Sequence, residues 1–527
     1  MLKKCLSLLM AVCLFAGCLC ACGEKENSGK KTLVWAMPFY TQTDDKVVLA
    51  EINKELEKQM PGVELSFMYE SSLAKKWPLL MAGKTQIDIA HAGFDNDLAT
   101  DINKKSYQPL DDLINKYAPS IKKDWETYSD QFLTGSSNGV LYAIPNVQNQ
   151  VHDTKYIRIP KELSSLFDAE TFMSLIKKSP TLSDELCAFL DDYMAKAVAY
   201  IDANPDSGLY APYIDIEYFY DNFVKRGYEF FSEESNLCYE VFADDEKVTV
   251  ESFNETDTFK IFAKWARSWY EKGFIPQDVL TGMNTTGRTC MIFSSILDFN
   301  LHDENGDGII EPGESAVMGD THYIYNCMPN EQKFRGISVI GSELTYNTIP
   351  TTAKYPEEAI QLLELLRTEK GSTLLNLIIY GIEGKHYSKN DDGTIKPIGY
   401  SGGQGTSSSP YGKANWMVSN MLDYQYIVEP FKADSRDKAL KYLNEVRKNF
   451  YATPVCGLQI INDSVTKELS MIASVVEEYE LQIIGGTTKD YTAMIETLGK
   501  NMKTAGLDKV KEEYQKQVNE YIANAKK

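Results

Sequence analysis

The stretch DENGDGIIEPGE, residues 303–314, places hard oxygen donors at alternating positions. It fits D-x-[DN]-x-[DN]-G-x5-E without a gap, the spacing with which one loop wraps a calcium ion. Calcium takes about six to eight oxygen ligands in flexible geometry. Asp303, Asn305 and Asp307 would offer side chains, Ile309 a backbone carbonyl, Glu311 a contact through water, and Glu314 a bidentate carboxylate. Gly308 frees the backbone for the sharp turn, and Ile310 would pin the loop to its neighbours. Pro312 and Gly313 interrupt the approach to Glu314, the following SAVMGDTHYIY is a poor helix, and no second loop pairs with this one. The expected role is one structural Ca2+ that orders its surroundings, since an ion bound only by the folded state stabilises that state. The acidic NDDGT (390–394) lacks a terminal Glu and reads as a hairpin turn.

No other chemistry of that specificity is visible. His91, His152, His302, His322 and His386 are isolated, and no nucleophile motif or HExxH is present. The expectation is therefore a protein that is not an enzyme. Five cysteines (Cys5, Cys13, Cys18, Cys20, Cys22) crowd the N-terminus, and Cys187, Cys238, Cys290, Cys327 and Cys456 are scattered, with no zinc spacing. One or two disulfides are allowed, with no pairing indicated. With 54 basic and 75 acidic residues the net charge is −21, which argues against nucleic acid as a partner.

The elements that must position any site begin after an export signal. Lys3 and Lys4 precede the apolar run Leu6 to Phe15, which is too short for a mature membrane span. Small residues then lead to a cysteine, an arrangement that resembles a bacterial lipobox. Cys22 is the expected lipidated residue, with Cys18 as the alternative. Removing 21 of 527 residues leaves 506, too many for one core and natural for two lobes.

TLVWAM (32–37) reads as a buried strand, and Val48, Ile52, Leu56 and Met60 then recur on one helix face behind Asp44 and Asp45. VELSFMY (63–69) alternates as a second strand, a helix follows over 72–82, and IDIAHAG (87–93) is a third strand. Alternating strand and helix predicts a parallel sheet covered by helices. LDDLINKYAP (110–119) and the strand GVLYAIPNVQ (139–148) continue the pattern. Beyond residue 150 the chain turns mostly helical, in ELCAFLDDYMAKAVAYI and DTFKIFAKWARSWYEKG. Strands return near GISVIGSEL (336–344), followed by one helix through PEEAIQLLELLRTEKGSTLLNLII. The C-terminal segment is a long amphipathic helix with the stripe Leu507, Val510, Tyr514, Val518 and Tyr521. The Gly/Ser run 401–410 is a loop suited to be a lid or cleft wall.

The order of these features resembles the family 1 extracellular solute-binding lipoproteins of sugar ABC transporters, and within them the LplA-like subgroup of Gram-positive bacteria. AEINKELEKQMPGVELSFMY, KKSYQPLDDLINKYAP, GVLYAIPNVQNQ, IPTTAKYPEEAIQLLELLRTEKG, IYGIEGKHY and AGLDKVKEEYQKQVNEY carry the likeness, which is weaker over 150–260. The resemblance implies an α/β, two-lobed periplasmic-binding-protein-like fold of type II, parallel-sheet lobes with a hinge and a central cleft. Residues 1–21 would be the signal and 22–31 a tether. Residues 32–147 with about 335–375 would form the N-terminal lobe, and 148–334 with about 376–527 the C-terminal lobe.

The resemblance further implies a carbohydrate, expected to be an oligosaccharide, held in the cleft as the lobes close and delivered to ABC permease subunits. The protein is then a monomer, lipid-anchored at the extracellular face of the cytoplasmic membrane. Four segments should border the cleft: Tyr40 in AMPFYTQ, Phe94 and Asp95 in HAGFDND, Asn146 and Gln148 in AIPNVQNQ, and Tyr411, Trp416 and Asn420 after the Gly/Ser loop. Ser294 and Ser295 are further candidates. Aromatic platforms with Asp, Asn and Gln suit sugars, whose hydroxyls leave buried groups unpaired when missing. The alternatives are a calcium-stabilised surface adhesion lipoprotein and a surface carbohydrate-active enzyme.

Overall fold

The computed structural model describes residues 29–93, 98–147, 156–179, 181–209, 216–241, 248–275, 279–281, 290–294, 301–303, 316–318, 322–326, 334–336, 345–400, 405–421, 424–429, 433–434, 436–437, 440 and 450–525. Cys18, Cys22, Phe94, Asp95, Gln148, Ser295, Asn305, Asp307, Ile309, Glu311 and Glu314 lie outside them.

The apolar opening folds as read. Strands β1 (Lys31–Met37), β2 (Val63–Tyr69) and β3 (Ile89–Gly93) are parallel, with β1 in the middle and Lys31 opposite Val63. Helix α1 (Asp45–Gln59) buries Val48, Ile52 and Leu56, the stripe expected from the sequence. Two further strands, β4 (Ala143–Pro145) and β5 (Thr345–Thr348), complete the order β2-β1-β3-β5-β4. β5 runs antiparallel to both β3 and β4, so this sheet is mixed rather than purely parallel. The reason is its direction of arrival: β5 returns from a distant part of the chain instead of following a short helical crossover. Asp88 knits the sheet to the helices over it. It is fully buried and accepts from Val34 N (2.9 Å), Gln86 Nε2 (2.8 Å), Lys354 N (2.7 Å) and Tyr355 N (2.9 Å).

The single helix expected after residue 355 is two, α2 (Pro356–Leu365) and α3 (Ser372–Tyr380). Between them Thr368 Oγ1 accepts from Gly371 N at 3.3 Å. A Cβ at Gly371 would stand 1.9 Å from the Leu365 carbonyl oxygen, so only glycine allows so tight a break. NDDGT turns a hairpin between Tyr387–Lys389 and Ile395–Pro397, with Gly393 at φ +85°.

A second core gathers residues between Ile157 and Met291 with others between Val455 and Val518. Helices Asp184–Ala203, Asp257–Glu271, Thr466–Ile484, Tyr491–Ala505 and Leu507–Ala525 supply much of it, and Leu507, Val510, Tyr514 and Val518 are all fully buried. Its five-stranded sheet, with described strands Ile292–Ser294, Tyr156–Pro160, His322–Asn326, Ala316–Met318 and Leu301–Asp303 in that order, is antiparallel throughout. The expected parallel sheet is therefore corrected for this lobe. Strands separated by only a few residues, as 316–318 and 322–326 are, can join only as an antiparallel pair.

The expected lobe boundary near 376 also shifts. Tyr380, Tyr387, Ile395, Tyr411, Val418 and Val428 share one buried cluster with Leu33 and Trp35, so the chain stays in the first core to about residue 428.

Glu480 is a buried carboxyl in the second core. It accepts from Tyr220 Oη (2.7 Å), Asn236 Nδ2 (2.5 Å) and Asn254 Nδ2 (3.3 Å). Burial raises its pKa, against the opposing pull of Lys225 and these donors. A carboxyl whose folded pKa lies above its unfolded one destabilises the fold once pH rises through the ordinary range near about 4.3, because the charged form is disfavoured inside. Glu480→Gln keeps an acceptor and removes the charge. Thermal melts should therefore show the variant more stable than the parent near about pH 7.5 and level with it near about pH 4. A variant less stable at the higher pH would contradict this.

Candidate functional site

Among the described residues, membership of the two cores alternates along the chain: the first holds positions from Leu33 to Ile144 and from Ile349 to Val428, the second those from Ile157 to Met291 and from Val455 to Val518, so three passages join them. Phe334–Gly336 and Phe450–Ala452 run side by side as a parallel pair.

Where these passages meet the first sheet, buried polar groups pair with one another. Asn146 N donates to Thr345 O at 2.8 Å, and Asn347 Nδ2 donates to Asn146 Oδ1 (2.9 Å) and Val418 O (3.0 Å). Thr345 Oγ1 donates to Trp416 O at 2.6 Å, and Met421 N to Val147 O at 2.9 Å. Arg367, with a side chain 2% exposed, donates to Asp124 Oδ2 (2.8 Å) and to Pro145 O (2.7 Å). Asn420 Nδ2 reaches the same Asp124 oxygen at 3.5 Å. His91, opposite Asn347 in the sheet, is buried and its pKa falls to about 3 because burial disfavours the charged ring. It stays neutral here.

The structure brings Asn146, Trp416 and Asn420 into one region. Asn146 and Asn420 are buried and hydrogen-bonded within the protein. Trp416 is half-buried against the first core. Tyr411 lies elsewhere: it is 1% exposed, donates its hydroxyl to Ile378 O at 2.7 Å, and belongs to the core. Burial drives its pKa far up.

Tyr40 is the candidate on an open surface. It is 61% exposed, on the turn between β1 and α1. The turn itself is rigid: Phe39 N donates to Met37 O (2.9 Å), Gln42 N to Asp45 Oδ2 (2.7 Å), and Asp44 N to Pro410 O (3.0 Å). Asp44 also pairs with Lys385 and His386 at 3.0 and 3.1 Å, contacts that hold its carboxyl below the usual range. Ser294 closes the strand Ile292–Ser294 beside Tyr156 at the second-core end of the first passage. Of the metal-loop residues, Asp303 is described by its backbone alone, as the end of a strand whose partner at that position is Ala316. The loop 304–315 therefore joins two antiparallel strands, not two helices. Residue reading missed Lys413, Gln42, Asp124 and Arg367, whose partners lie hundreds of positions away and leave no local signal.

Comparison with known proteins places this arrangement. The family described as Domain of unknown function (DUF3502) matches residues 456–523. A protein named carbohydrate ABC transporter substrate-binding protein, from Streptococcus pneumoniae serotype 4 (strain ATCC BAA-334 / TIGR4), is 23% identical over 536 residues, covering 98% of this chain and 97% of that one. The crystal structure of the N-glycan transport solute binding protein NgtS from Streptococcus pneumoniae matches with a TM-score of 0.66 at 20% identity, covering 94% of this chain and 100% of that one. Its complex with Man1GlcNAc matches with a TM-score of 0.59 at 18% identity over the same shares. The chain therefore has the two-lobed fold of solute-binding proteins.

The Arg367–Asp124 pair is testable. Removing one partner of a buried ion pair costs about 3–5 kcal/mol, and the 17% exposure of Asp124 puts Arg367→Met near the low end. Denaturant unfolding should show a loss of about 3 kcal/mol, with Asp124→Asn milder because an acceptor remains.

Proposed function

We propose that this protein is the extracellular substrate-binding component of a carbohydrate ABC importer, capturing an oligosaccharide between its lobes and delivering it to the permease. The observation that carries this reading is the match along 98% of the chain to a protein of that name, joined to a fold whose two cores are linked by three passages. Such a link permits hinge closure, and ligands favour the cleft between domains. Tyr40 supplies an exposed aromatic face on a rigid turn beside the sheet. The reading includes a lipid anchor on Cys22, with Cys18 as the alternative, and a monomer at the outer face of the cytoplasmic membrane. It is a binding protein, and no catalytic step is assigned to it.

The test is a thermal-shift and calorimetric screen of neutral oligosaccharides, with Man1GlcNAc among them because a structural neighbour is seen with it. A bound sugar raises the melting temperature by mass action. Tyr40→Ala should weaken binding about tenfold, the loss of one aromatic contact worth about 1.4 kcal/mol. Turnover of the sugar, or no response to any member of the panel, would overturn the reading.

Calcium at 303–314 belongs to the same proposal as a local staple. Its support is the unbroken ligand spacing and the antiparallel pairing of Asp303 with Ala316 at the loop's two ends. The mature protein should carry one calcium by elemental analysis, and EDTA should lower its melting temperature, with Asp307→Ala abolishing the difference. Equal melting temperatures and no bound calcium would remove the staple.

A further inference from the structure

Lys413 holds a buried ammonium, its side chain 1% exposed. Nζ lies 2.8 Å from both Gln42 Oε1 and Asp45 Oδ1. Three aromatic rings stand around it, Tyr69 at 4.0 Å, Tyr411 at 4.8 Å and Phe39 at 5.8 Å from their centroids. The contacts join two segments more than 350 residues apart: the turn 38–45 that carries Tyr40, and the stretch 405–414. The backbone joins them too. Gly412 N donates to Gln42 Oε1 (3.1 Å), Gln42 Nε2 to Thr406 O (2.8 Å) and Asp44 N to Pro410 O (3.0 Å). The approach is as close as chains permit, since a Cβ on Gly405 would stand 2.9 Å from Gln42 Nε2 and 3.0 Å from Gly412 O.

The energetics point away from simple stabilisation. Burial lowers the Lys413 pKa, and Asp45 only partly offsets it. Replacing both partners of such a buried pair by apolar groups is often neutral, whereas removing one partner alone is destabilising. Lys413 adds a buried ammonium to the hydrogen bonds that fix where the two segments sit.

We infer that Lys413 is the positioning residue of the binding wall, latching 405–414 onto the Tyr40 turn so that the two present to a carbohydrate as one rigid unit. This rests on the proposed carbohydrate-binding function. Met at position 413 fills the aromatic cage but offers no proton to Gln42 or Asp45, so it unlocks the wall while leaving the core packed.

The test uses Lys413→Met, Tyr40→Ala and their combination in the mature chain, followed by hydrogen exchange, melting temperature and affinity for Man1GlcNAc. In Lys413→Met, peptides over 38–45 and 405–414 should exchange about tenfold faster, with β1 and α3 unchanged, and the melting temperature should fall as Asp45 loses its counter-charge. Binding should weaken about tenfold in either single variant and little further in the double, the non-additivity expected of groups that act through one surface. Unchanged exchange at both peptides overturns the latch. So does faster exchange across the whole first core, which would mark a merely structural lysine, and so do additive losses of affinity. Should Lys413→Met not fold, Asp45→Asn must speed the same two peptides, because the ammonium then lacks its counter-charge. If the parent does not bind Man1GlcNAc, only that ligand choice fails, and the exchange result alone decides the latch.

Discussion

A chain that passes between two cores carries backbone amides and carbonyls through a region where water is scarce, and each must find a partner. Here β4 and β5 supply partners to each other. Asn146 and Asn347 extend the pairing sideways through their amides, and Thr345 carries it to the Trp416 carbonyl. Arg367 completes the arrangement by holding the Pro145 carbonyl and Asp124 together. Every later feature depends on this joint, because it fixes the direction in which the passages leave the first sheet.

The same logic organises the charges. Asp88, Arg367, Lys413 and Glu480 are each withdrawn from water, and each is met by several oriented donors or acceptors. In a low-dielectric surrounding an unpaired charge is costly, whereas a paired one contributes geometry more than stability. These groups therefore mark the places where segments far apart in sequence must meet at a set distance. Two of them, Arg367 and Lys413, lie on the elements nearest the passages and the Tyr40 turn.

Local pattern made much of the fold legible. The spacing of Val48, Ile52 and Leu56 placed α1, the alternation of Val63 and Leu65 placed β2, and the stripe from Leu507 to Val518 placed the final helix with its buried face. Asn390 to Thr394 announced its hairpin. Strand polarity was less legible, because a short strand such as Thr345–Thr348 looks the same whichever way it runs. The break between α2 and α3 was hidden for a related reason. Gly371 acts through the Leu365 carbonyl, and no apolar periodicity records that contact.

For the site, residue type names a chemistry whose availability depends on burial and pairing. Asn146, Asn420 and Tyr411 have the chemistry of sugar contacts, yet in the fold their polar atoms are satisfied by Asn347, Asp124 and Ile378. Local spacing alone determined α1, β1, β2, β3 and the final helix, since each depends on neighbours within a few turns of chain. Tertiary structure alone decided that Tyr380, Tyr411 and Val428 join the first core and that Lys413 meets Gln42 and Asp45. Burial and pairing across hundreds of residues are properties of the folded chain, and no local pattern encodes them.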